Sequence, residues 1–374
     1  MENSPHAIIS PEKEVDFLII GQGVAGTFLA RALLERGRRI IVIDDAQRSS
    51  ASRVAAGLLN PVTGMRLHLT KGTSEFLACA KSLFSRLERE HGQTLFTPIP
   101  VRRIYVSVKE RELKVLRAAK PDYATLMSAD DAPGSVNAAL HGNTLDDAHG
   151  SFLIHGGGWV DLPRLLDLEH AWLRQHSAIT EGAVQLEELR HDGSGGVLWN
   201  GWCARYGAVF CNGYKAGITP CWDWIPWRPA RGEIVDCEST VADAPWMLNR
   251  NGWAVPLGNG HWRSGSTWEW NATRFDDAPS PALAEQLRKR LQGFFKTPVD
   301  ARLVSQRTGV RPCVLDNQPF CGTHPQLPWL HLFGGFGPKG VFWGPSCSND
   351  MAAWLCEGKP LPARFDLRRA WHGK

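Results

Sequence analysis

The sequence lacks the features that mark disulfide-rich, zinc-binding, membrane-spanning and secreted proteins. Its nine cysteines are odd in number and include no pair at C-x-x-C spacing, which argues against a zinc site or a disulfide framework and favours reduced thiols. No apolar run approaches the roughly 18 residues of a membrane span. The N-terminal MENSPHAIISPEKEV has no apolar segment of the kind found in secretory signals. We therefore expect a cytoplasmic protein without a metal site or a membrane partner.

Neither sign of charge dominates. The chain has 42 Lys and Arg against 38 Asp and Glu, a formal net charge of +4, and its charges are interspersed. This mild basicity does not decide for or against a nucleic-acid partner, although no clear basic stripe favours one. With 43% apolar residues among 374, the chain can bury a sizeable core, and at about 150 residues per domain it predicts roughly two domains.

Tyrosine is scarce, with four residues, whereas tryptophan is abundant, with 16. Half of the tryptophans fall between Trp222 and Trp270, which marks a region of distinct composition. Any one of them is expected to pack in a core or on a sheet, but the excess as a whole favours a large apolar wall beside a binding site. The alternation in HWRSGSTWEW, residues 261–270, predicts one strand over that site, with Trp262 and Trp268 on the same face.

Residues 15–45, VDFLIIGQGVAGTFLARALLERGRRIIVIDD, have the order strand, glycine-rich turn, helix and strand. The apolar run Phe17–Ile20 is typical of a buried parallel strand, and a second run, Ile40–Ile43, leads to Asp44. The turn between them has G-x-G-x-x-G spacing, with the residues Gly21, Gly23, Val24, Ala25 and Gly26.

Each residue of this turn has a physical role. Gly21 permits the tight turn, Gly23 lets the backbone approach a pyrophosphate, and Gly26 lets the helix and strand pack closely. The helix N-terminus attracts the phosphates, and the Asp44 carboxylate is placed to bond a ribose hydroxyl. The pattern predicts a dinucleotide site but does not choose between NAD(P) and FAD.

A second segment, SSASRVAAGLLNPVTG at residues 49–64, is rich in small residues that let backbone amides approach a flat ring system. Here the chain resembles the D-amino-acid oxidase (DAO) superfamily of FAD enzymes, in the branch that contains glycine oxidase, sarcosine oxidase and the oxidase domain of the tRNA-modifying enzyme MnmC. In that family a Ser-x-x-Ala-Ala-Gly segment lies against the isoalloxazine ring, which implies FAD. The matching residues are Ser52, Ala55, Ala56, Gly57 and Leu58.

The resemblance continues in the middle of the chain. GGGWVDLPRLLDLEHAW, residues 156–172, predicts a turn and then a helix with Asp161 as its N-cap. GAVQLEEL, residues 182–189, is predicted as a strand. The resemblance implies a backbone contact from Val184 to the adenine side of FAD.

RTGVRPCVLDNQP, residues 307–319, matches the family's Gly-x-Arg-Pro followed by Asp-x-x-Pro. The resemblance implies that Arg311 grips the substrate carboxylate, because a guanidinium binds bidentately and keeps its charge. Arg307 is left open between a second anion contact to the substrate and an ion pair with Asp316. Gly309 stands where some sarcosine oxidases carry the cysteine that binds flavin covalently, so we expect non-covalent FAD.

The last signature is a glycine-rich loop between a strand and a helix, LFGGFGPKGVFWGPSCSNDMAAWL at residues 332–355. In the family this loop holds the pyrimidine side of the flavin. Lys339 and the N-terminus of a helix expected near Ser346 would stabilise negative charge on the reduced flavin. The matching residues are Gly335, Gly337, Pro338, Lys339, Gly340 and Val341.

The resemblance implies an α/β plus α+β fold of the glutathione-reductase-like FAD type. A Rossmann-like FAD-binding domain is expected to combine residues 1–70, 150–215 and 300–374. A substrate-binding domain built on an antiparallel sheet is expected to combine residues 71–149 and 216–299.

The expected function is that of an FAD-dependent amine or amino-acid oxidase or dehydrogenase. The resemblance implies oxidation of a C–N bond by hydride transfer to flavin N5, hydrolysis of the imine product, and O₂ as the electron acceptor. Arg311 and Lys339 are the expected catalytic residues, and Arg311, Arg307 and Trp268 the expected substrate contacts. Two alternatives stay open: a tRNA-modification oxidase like the MnmC domain, acting on a carboxymethylamino group of a tRNA base, and a dehydrogenase with another acceptor.

Overall fold

The computed structural model describes residues 13–45, 50–241, 243–270, 275 and 278–372. The helices are α1 (Val24–Leu34), α2 (Ala51–Val54), α3 (Thr73–His91), α4 (Val108–Ala118), α5 (Pro121–Ala124), α6 (Leu162–Gln175), α7 (Pro281–Gln292) and α8 (Gly340–Glu357). Short 3-10 helices are Asn137–Leu140, Leu186–Glu188, Gly213–Ile218, Pro220–Trp222 and Leu367–Ala370.

The strands run through the whole described chain and are mostly short. They are β1 (Lys13–Val15), β2 (Phe17–Ile20), β3 (Ile40–Asp44), β4 (Leu58–Leu59), β5 (Val62–Thr63), β6 (His68–Leu69), β7 (Phe96–Pro98), β8 (Val101–Ile104), β9 (Met127–Asp131), β10 (Ser151–Ile154), β11 (Gly158–Val160), β12 (Ile179–Glu181), β13 (Arg190–His191), β14 (Val197–Trp199), β15 (Trp202–Ala204), β16 (Ala208–Phe210), β17 (Ala230–Ser239), β18 (Met247–Asn249), β19 (Trp253–Gly258), β20 (His261–Gly265), β21 (Ala301–Arg311), β22 (Phe320–Thr323) and β23 (Leu330–Gly334).

A six-stranded sheet has the order β12-β3-β2-β16-β23-β22. All its neighbouring pairs are parallel except the edge pair β22–β23. β2 reads FLII and is buried at every position, as a parallel strand covered on both faces must be. The chain leaves β2 for β3 on one side and returns to β16 on the other. The carboxyl end of β2 is therefore the topological switch point, where such sheets bind ligands.

Both faces of this sheet are covered. On one face, α1, α3, α6 and α8 enclose a large apolar core. The other face packs against the small sheet β1-β15-β14-β13 and the Trp222 region. A buried ion pair, Arg31–Glu169 at 2.5 Å, joins α1 to α6. The glycine-rich turn after β2 is thus held on a rigid three-layer base.

An eight-stranded sheet has the order β21-β17-β20-β19-β18-β8-β10-β9. Its pairs are antiparallel except β18–β8. The longest pairing joins β17 to β21 and carries Ala230 opposite Arg311 at its end. α7 packs on this sheet through Ala284, Leu287 and Leu291. Arg311, the last residue of β21, is therefore held at the end of a long strand that pairs with β17 up to that residue.

Several local predictions are wrong in detail. Residues 182–189 contain the 3-10 helix Leu186–Glu188 instead of a strand, because the neighbouring strand is the earlier β12. α8 begins at Gly340, well before the expected start near Ser346. Asp161 does cap α6, accepting a hydrogen bond from the Arg164 amide at 3.2 Å.

Two strands bear on the predicted domain division. β10 lies within the range 150–215 and β21 within the range 300–374, both assigned to the FAD-binding domain. Both strands are hydrogen-bonded into the eight-stranded sheet. The division stays a prediction, and we propose moving these two strands to the substrate-binding part.

Candidate active site

A cavity of about 1990 Å³ lies between the two large sheets. It runs from the glycine-rich turn after β2 to the end of β21. Cavities for drug-sized ligands measure roughly 300–1,000 Å³. The cavity therefore has room for a dinucleotide and a second, smaller ligand.

The glycine-rich turn forms one end of the cavity. Gly21 has φ +102°, a conformation that favours glycine. A Cβ on Gly26 would lie 1.8 Å from the Gly21 carbonyl oxygen, so the first turn of α1 can sit this close to β2 only with glycine there. Gly26 itself does not line the cavity, whereas Gly21, Gly23, Val24 and Ala25 do.

Two polar side chains organise the amides of this turn. The Gln22 amide donates to Asp44 Oδ2 at 2.6 Å, and the Val24 amide donates to Ser52 Oγ at 3.1 Å. Gly23, the N-cap of α1, offers no side chain to cap the helix. The N-terminus of α1 therefore faces the cavity in the way that binds phosphate groups.

The small-residue segment forms the next part of the wall. Ser52, Ala55, Ala56, Gly57 and Leu58 all line the cavity. Gly57 has φ +67°, and a Cβ there would lie 2.0 Å from the Val160 carbonyl oxygen. The backbone therefore passes close to β11 and keeps this wall flat and low in side-chain volume. Such a wall fits a planar ring.

Val184 also lines the cavity, from the loop that follows β12. Its predicted position beside the cofactor is compatible with this placement, although it does not come from a strand. The structure does not identify its contact with adenine, which stays a prediction.

The loop before α8 closes the cavity from the opposite side. Gly337, Pro338, Lys339, Gly340 and Val341 line it. Lys339 Nζ donates to Thr70 Oγ1 at 3.2 Å, and burial lowers the pKa of the Lys339 ammonium.

Gly335 does not line the cavity. It has φ +74°, and a Cβ there would lie 3.3 Å from Val314 Cγ1. We therefore infer that Gly335 turns the chain toward the loop, while the residues after it face the cavity.

Arg311 is the last residue of β21 and lines the other end of the cavity. Its Nη1 donates to the Thr267 carbonyl oxygen at 3.2 Å, and its guanidinium lies 4.2 Å from the centroid of the Trp268 ring. A side chain on Gly232, on the adjacent strand, would overlap this guanidinium. In the part of the chain that the structure describes, no carboxylate pairs with Arg311.

Arg307 has a different environment. Its Nη2 lies 2.8 Å from Asp236 Oδ2, whereas Asp316 pairs with Arg369. The proposed Arg307–Asp316 pair is therefore wrong, because β21 places Arg307 opposite β17 and its Asp236. Arg307 still lines the cavity, so its contact with substrate stays a prediction.

The tryptophans are arranged differently from the predicted apolar wall. β20 ends at Gly265, so Trp262 and Trp268 do not share a strand face. Trp262 is fully buried in the core beside α7, and Trp268 is 43% exposed and stacks on Trp270. Of the eight tryptophans from Trp222 to Trp270, all of them described, Trp253 and Trp268 line the cavity. The prediction of a large tryptophan wall is therefore wrong in extent, because most of these tryptophans do not line the cavity.

Sequence reasoning missed Arg290, which lines the cavity from α7. It follows Arg288 and Lys289 in a basic run that reads as the solvated face of an amphipathic helix. It also missed Gln22, whose side chain donates to the Leu166 carbonyl oxygen at 3.0 Å and fixes the turn on α6. No spacing or motif distinguishes either residue in the sequence.

The environment of Arg311 predicts a pH dependence of anion binding. Burial lowers the pKa of its guanidinium to about 10, so the charged form that binds a carboxylate persists through neutral pH and is lost as the pH rises through about 10. We expect the Kd of a carboxylate ligand to stay constant from about pH 6 to about pH 9 and to rise above that range. Titration of the ligand against the visible absorbance of the holoprotein measures it. A loss of affinity between about pH 6 and 8 would assign the contact to another group.

Among the residues that the structure describes, no group of three or more His, Cys, Asp or Glu side chains is arranged to hold a metal ion. Among the helices of those residues, none combines the length and the apolar character that crossing a membrane requires.

Comparison with known proteins gives a consistent relationship. The family model DAO, described as FAD dependent oxidoreductase, matches residues 16–354. The chain is 23% identical over 416 residues to the tRNA 5-methylaminomethyl-2-thiouridine biosynthesis bifunctional protein MnmC of Aeromonas hydrophila, covering 99% of this chain and 61% of the relative. It thus spans about three fifths of the length of that curated relative.

The solved structures share the fold. Glycine oxidase from Geobacillus kaustophilus superposes with a TM-score of 0.77 at 20% identity, covering 97% of this chain and 99% of the other. L-proline dehydrogenase from P. horikoshii superposes with a TM-score of 0.75 at 15% identity, covering 96% and 98%. The predicted fold class is confirmed.

Proposed function

Because the chain belongs to the DAO family of FAD-dependent oxidoreductases, we propose that it oxidises the C–N bond of an amino acid or secondary amine that carries a carboxylate. The observation that carries this proposal is Arg311, a partly buried guanidinium in the cavity with no carboxylate partner among the described residues. A buried charge needs a partner. A substrate carboxylate would supply it.

The chain's residues fit FAD at the other end of the same cavity. The turn at Gly21 and Gly23 and the N-terminus of α1 would hold the pyrophosphate, and the small-residue wall at Ala55–Gly57 would lie against the flavin ring. Bound FAD supplies the oxidant for the C–N bond. The protein's own part is to bind both molecules, orient them and exclude water.

Two basic side chains would divide the work between substrate and cofactor. Arg311 would fix the carboxylate and with it the direction of the carbon that is oxidised. We propose that Lys339, which donates a hydrogen bond to Thr70, places positive charge beside the flavin pyrimidine. Negative charge accumulates there when the flavin is reduced. Burial lowers the pKa of the Lys339 ammonium, and an anionic neighbour would stabilise its charged form.

A second candidate is oxidation of an amine carried by tRNA. It is supported by the relative from Aeromonas hydrophila, named for tRNA 5-methylaminomethyl-2-thiouridine biosynthesis, whose alignment covers 99% of this chain. The exposed Trp268–Trp270 stack, with ring centroids 5.1 Å apart, adjoins Arg311 and Arg228. Aromatic rings next to arginine are surfaces on which bases stack. A salt-dependent shift of tRNA by the protein would favour this candidate.

The electron acceptor is open between O₂ and another molecule, since the structural relatives include both an oxidase and a dehydrogenase. Peroxide yield per substrate oxidised separates the two cases. We propose that O₂ is the electron acceptor and that the protein is located in the cytoplasm, as expected from the sequence.

The test is the visible spectrum of the purified holoprotein, recorded anaerobically with amino acids, N-methyl amino acids and simple amines. We expect carboxylate-bearing amines to bleach the flavin band and amines without a carboxylate to do so poorly. Bleaching by simple amines alone would contradict the proposed substrate class. If no small amine bleached the flavin, the tRNA-borne substrate would become the favoured candidate. A folded protein that binds no flavin would contradict both candidate functions.

A further inference from the structure

Arg290 has no acidic partner among the described residues, although it lies on a helix rich in paired charges. On α7, Arg288 and Lys289 both contact Glu285, at 2.6 and 3.6 Å. Arg290 lies next to them in sequence but points into the cavity instead. The contact described for it is Nη1 donating to the Ser266 carbonyl oxygen at 3.2 Å.

The path of the Arg290 side chain is fixed by its neighbours. Gly252 has no side chain, and a Cβ there would overlap Arg290 Cδ. The guanidinium has five N–H donors, of which the Ser266 contact uses one. Burial lowers the pKa of Arg290, and no charged group offsets that effect. The cavity therefore contains a second guanidinium whose other N–H donors have no described hydrogen-bond acceptor among the residues that the structure covers.

Arg290 and Arg311 line the same cavity and hydrogen-bond to neighbouring residues of one segment. The two arginines bond consecutive carbonyl oxygens, those of Ser266 and Thr267, each at 3.2 Å. Successive residues are 3.8 Å apart at Cα, so the two bonded nitrogens lie on the order of 10 Å apart or closer. One small molecule can reach both.

We propose that the substrate of this site carries two oxyanion groups, one bound by Arg311 and the second by Arg290. The substrate class is then an amine with a carboxylate beside the oxidised carbon and a further carboxylate or phosphate-type group a few bonds away. Guanidinium binds either group through paired N–H donors. This inference rests on the proposed function and narrows its substrate class.

Arg307 does not serve this purpose, because Asp236 already pairs with it and Asp236 also pairs with Arg263. Arg103 in the same cavity pairs with Glu110 at 2.5 Å. Among the described arginines of the cavity, Arg290 and Arg311 are the pair that lack an acidic partner in the structure.

The experiment compares ligand binding to the holoprotein through perturbation of the flavin spectrum. The ligands are butyrate, glutarate and 3-phosphonopropionate, which bear one carboxylate, two carboxylates, and a carboxylate with a phosphonate. We expect the two dianions to bind more tightly than butyrate by about ten-fold or more, the scale of one hydrogen bond to a charged group. Which dianion binds better identifies the chemistry of the second group.

Three variants assign that preference to Arg290. In Arg290→Gln the preference for the dianions over butyrate should fall to about two-fold or less, because the charge-assisted bond to the second group is gone. Arg290→Lys should retain most of the preference, and it also covers the case in which the glutamine variant fails to fold. Arg288→Gln, on the same helix but paired with Glu285, should behave as the wild type.

The outcomes separate this inference from the proposed function. A wild-type protein that binds butyrate and dianions equally, or a preference that survives in Arg290→Gln, would overturn the role of Arg290 and leave the amine oxidation standing. A holoprotein whose flavin responds to none of the three ligands and to no carboxylate-bearing amine would overturn both.

Discussion

Replacing Arg311 with methionine should raise the Kd of a carboxylate-bearing amine by roughly 30-fold or more, since losing one member of a buried charge pair costs about 2–5 kcal/mol. The structure gives the reason. Arg311 lies in the cavity on the Trp268 ring and donates to one backbone carbonyl oxygen. Among the described residues its remaining N–H donors have no acceptor, so they could bind the ligand. Anaerobic titration of the flavin absorbance measures the Kd directly.

The control is the same titration with an amine that lacks the carboxylate. Its affinity should be nearly the same in the wild type and in Arg311→Met, because it makes no contact that the variant removes. Arg311→Lys keeps the charge but not the planar fork of the guanidinium. Its Kd for the carboxylate-bearing amine should lie between those of the wild type and Arg311→Met. Equal losses for both amines would mean that Arg311 supports the cavity instead of binding the carboxylate.

Replacing Gly26 with alanine should yield a protein that purifies with little or no flavin. The new Cβ would lie 1.8 Å from the Gly21 carbonyl oxygen, so α1 must move away from β2. That movement displaces the helix N-terminus that would bind the pyrophosphate. Overpacking of this kind costs about 1–3 kcal/mol or more. The ratio of flavin absorbance to protein absorbance gives the occupancy, and thermal unfolding gives the stability.

Gly37 provides the matched control. It lies just beyond α1 with φ +71°, and a Cβ there would meet nothing within 4 Å. Gly37→Ala should therefore show only the backbone strain of a left-handed alanine, about 1 kcal/mol, and keep its flavin. If Gly26→Ala kept full flavin occupancy, the close approach of α1 to β2 would not be needed for cofactor binding.

The strand, turn and helix at the proposed nucleotide end of the cavity could be predicted from the sequence in most particulars. Their determinants are local: the strand Phe17–Ile20, the turn and α1 follow one another directly, and Asp44 ends the next strand. In such a unit, residue type and spacing specify conformation, because the glycines are required by backbone geometry alone. The same holds for the N-cap at Asp161, whose hydrogen bond spans three residues.

The substrate half could be predicted only where a motif marked it. Arg311 was identified through its resemblance to a family pattern. For Arg307 the sequence offers an ion pair with Asp316 as one alternative, whereas strand pairing places Asp236 beside it. The sequence predicts the tryptophans on one wall, but β20 ends at Gly265. Trp262, within that strand, lies in the core, whereas Trp268, after its end, lines the cavity.

The sequence by itself determined three things about this protein. They are its Rossmann-type dinucleotide turn, the FAD family to which it belongs, and a candidate carboxylate-binding arginine. Only the tertiary structure decided which arginines pair with a carboxylate and which lack an acidic partner among the described residues. That outcome depends on contacts between residues far apart in the chain, as between Arg290 on α7 and Ser266 after β20. Three adjacent basic residues look alike in sequence, and the packing of α7 against the sheet turns Arg290 alone of the three into the cavity.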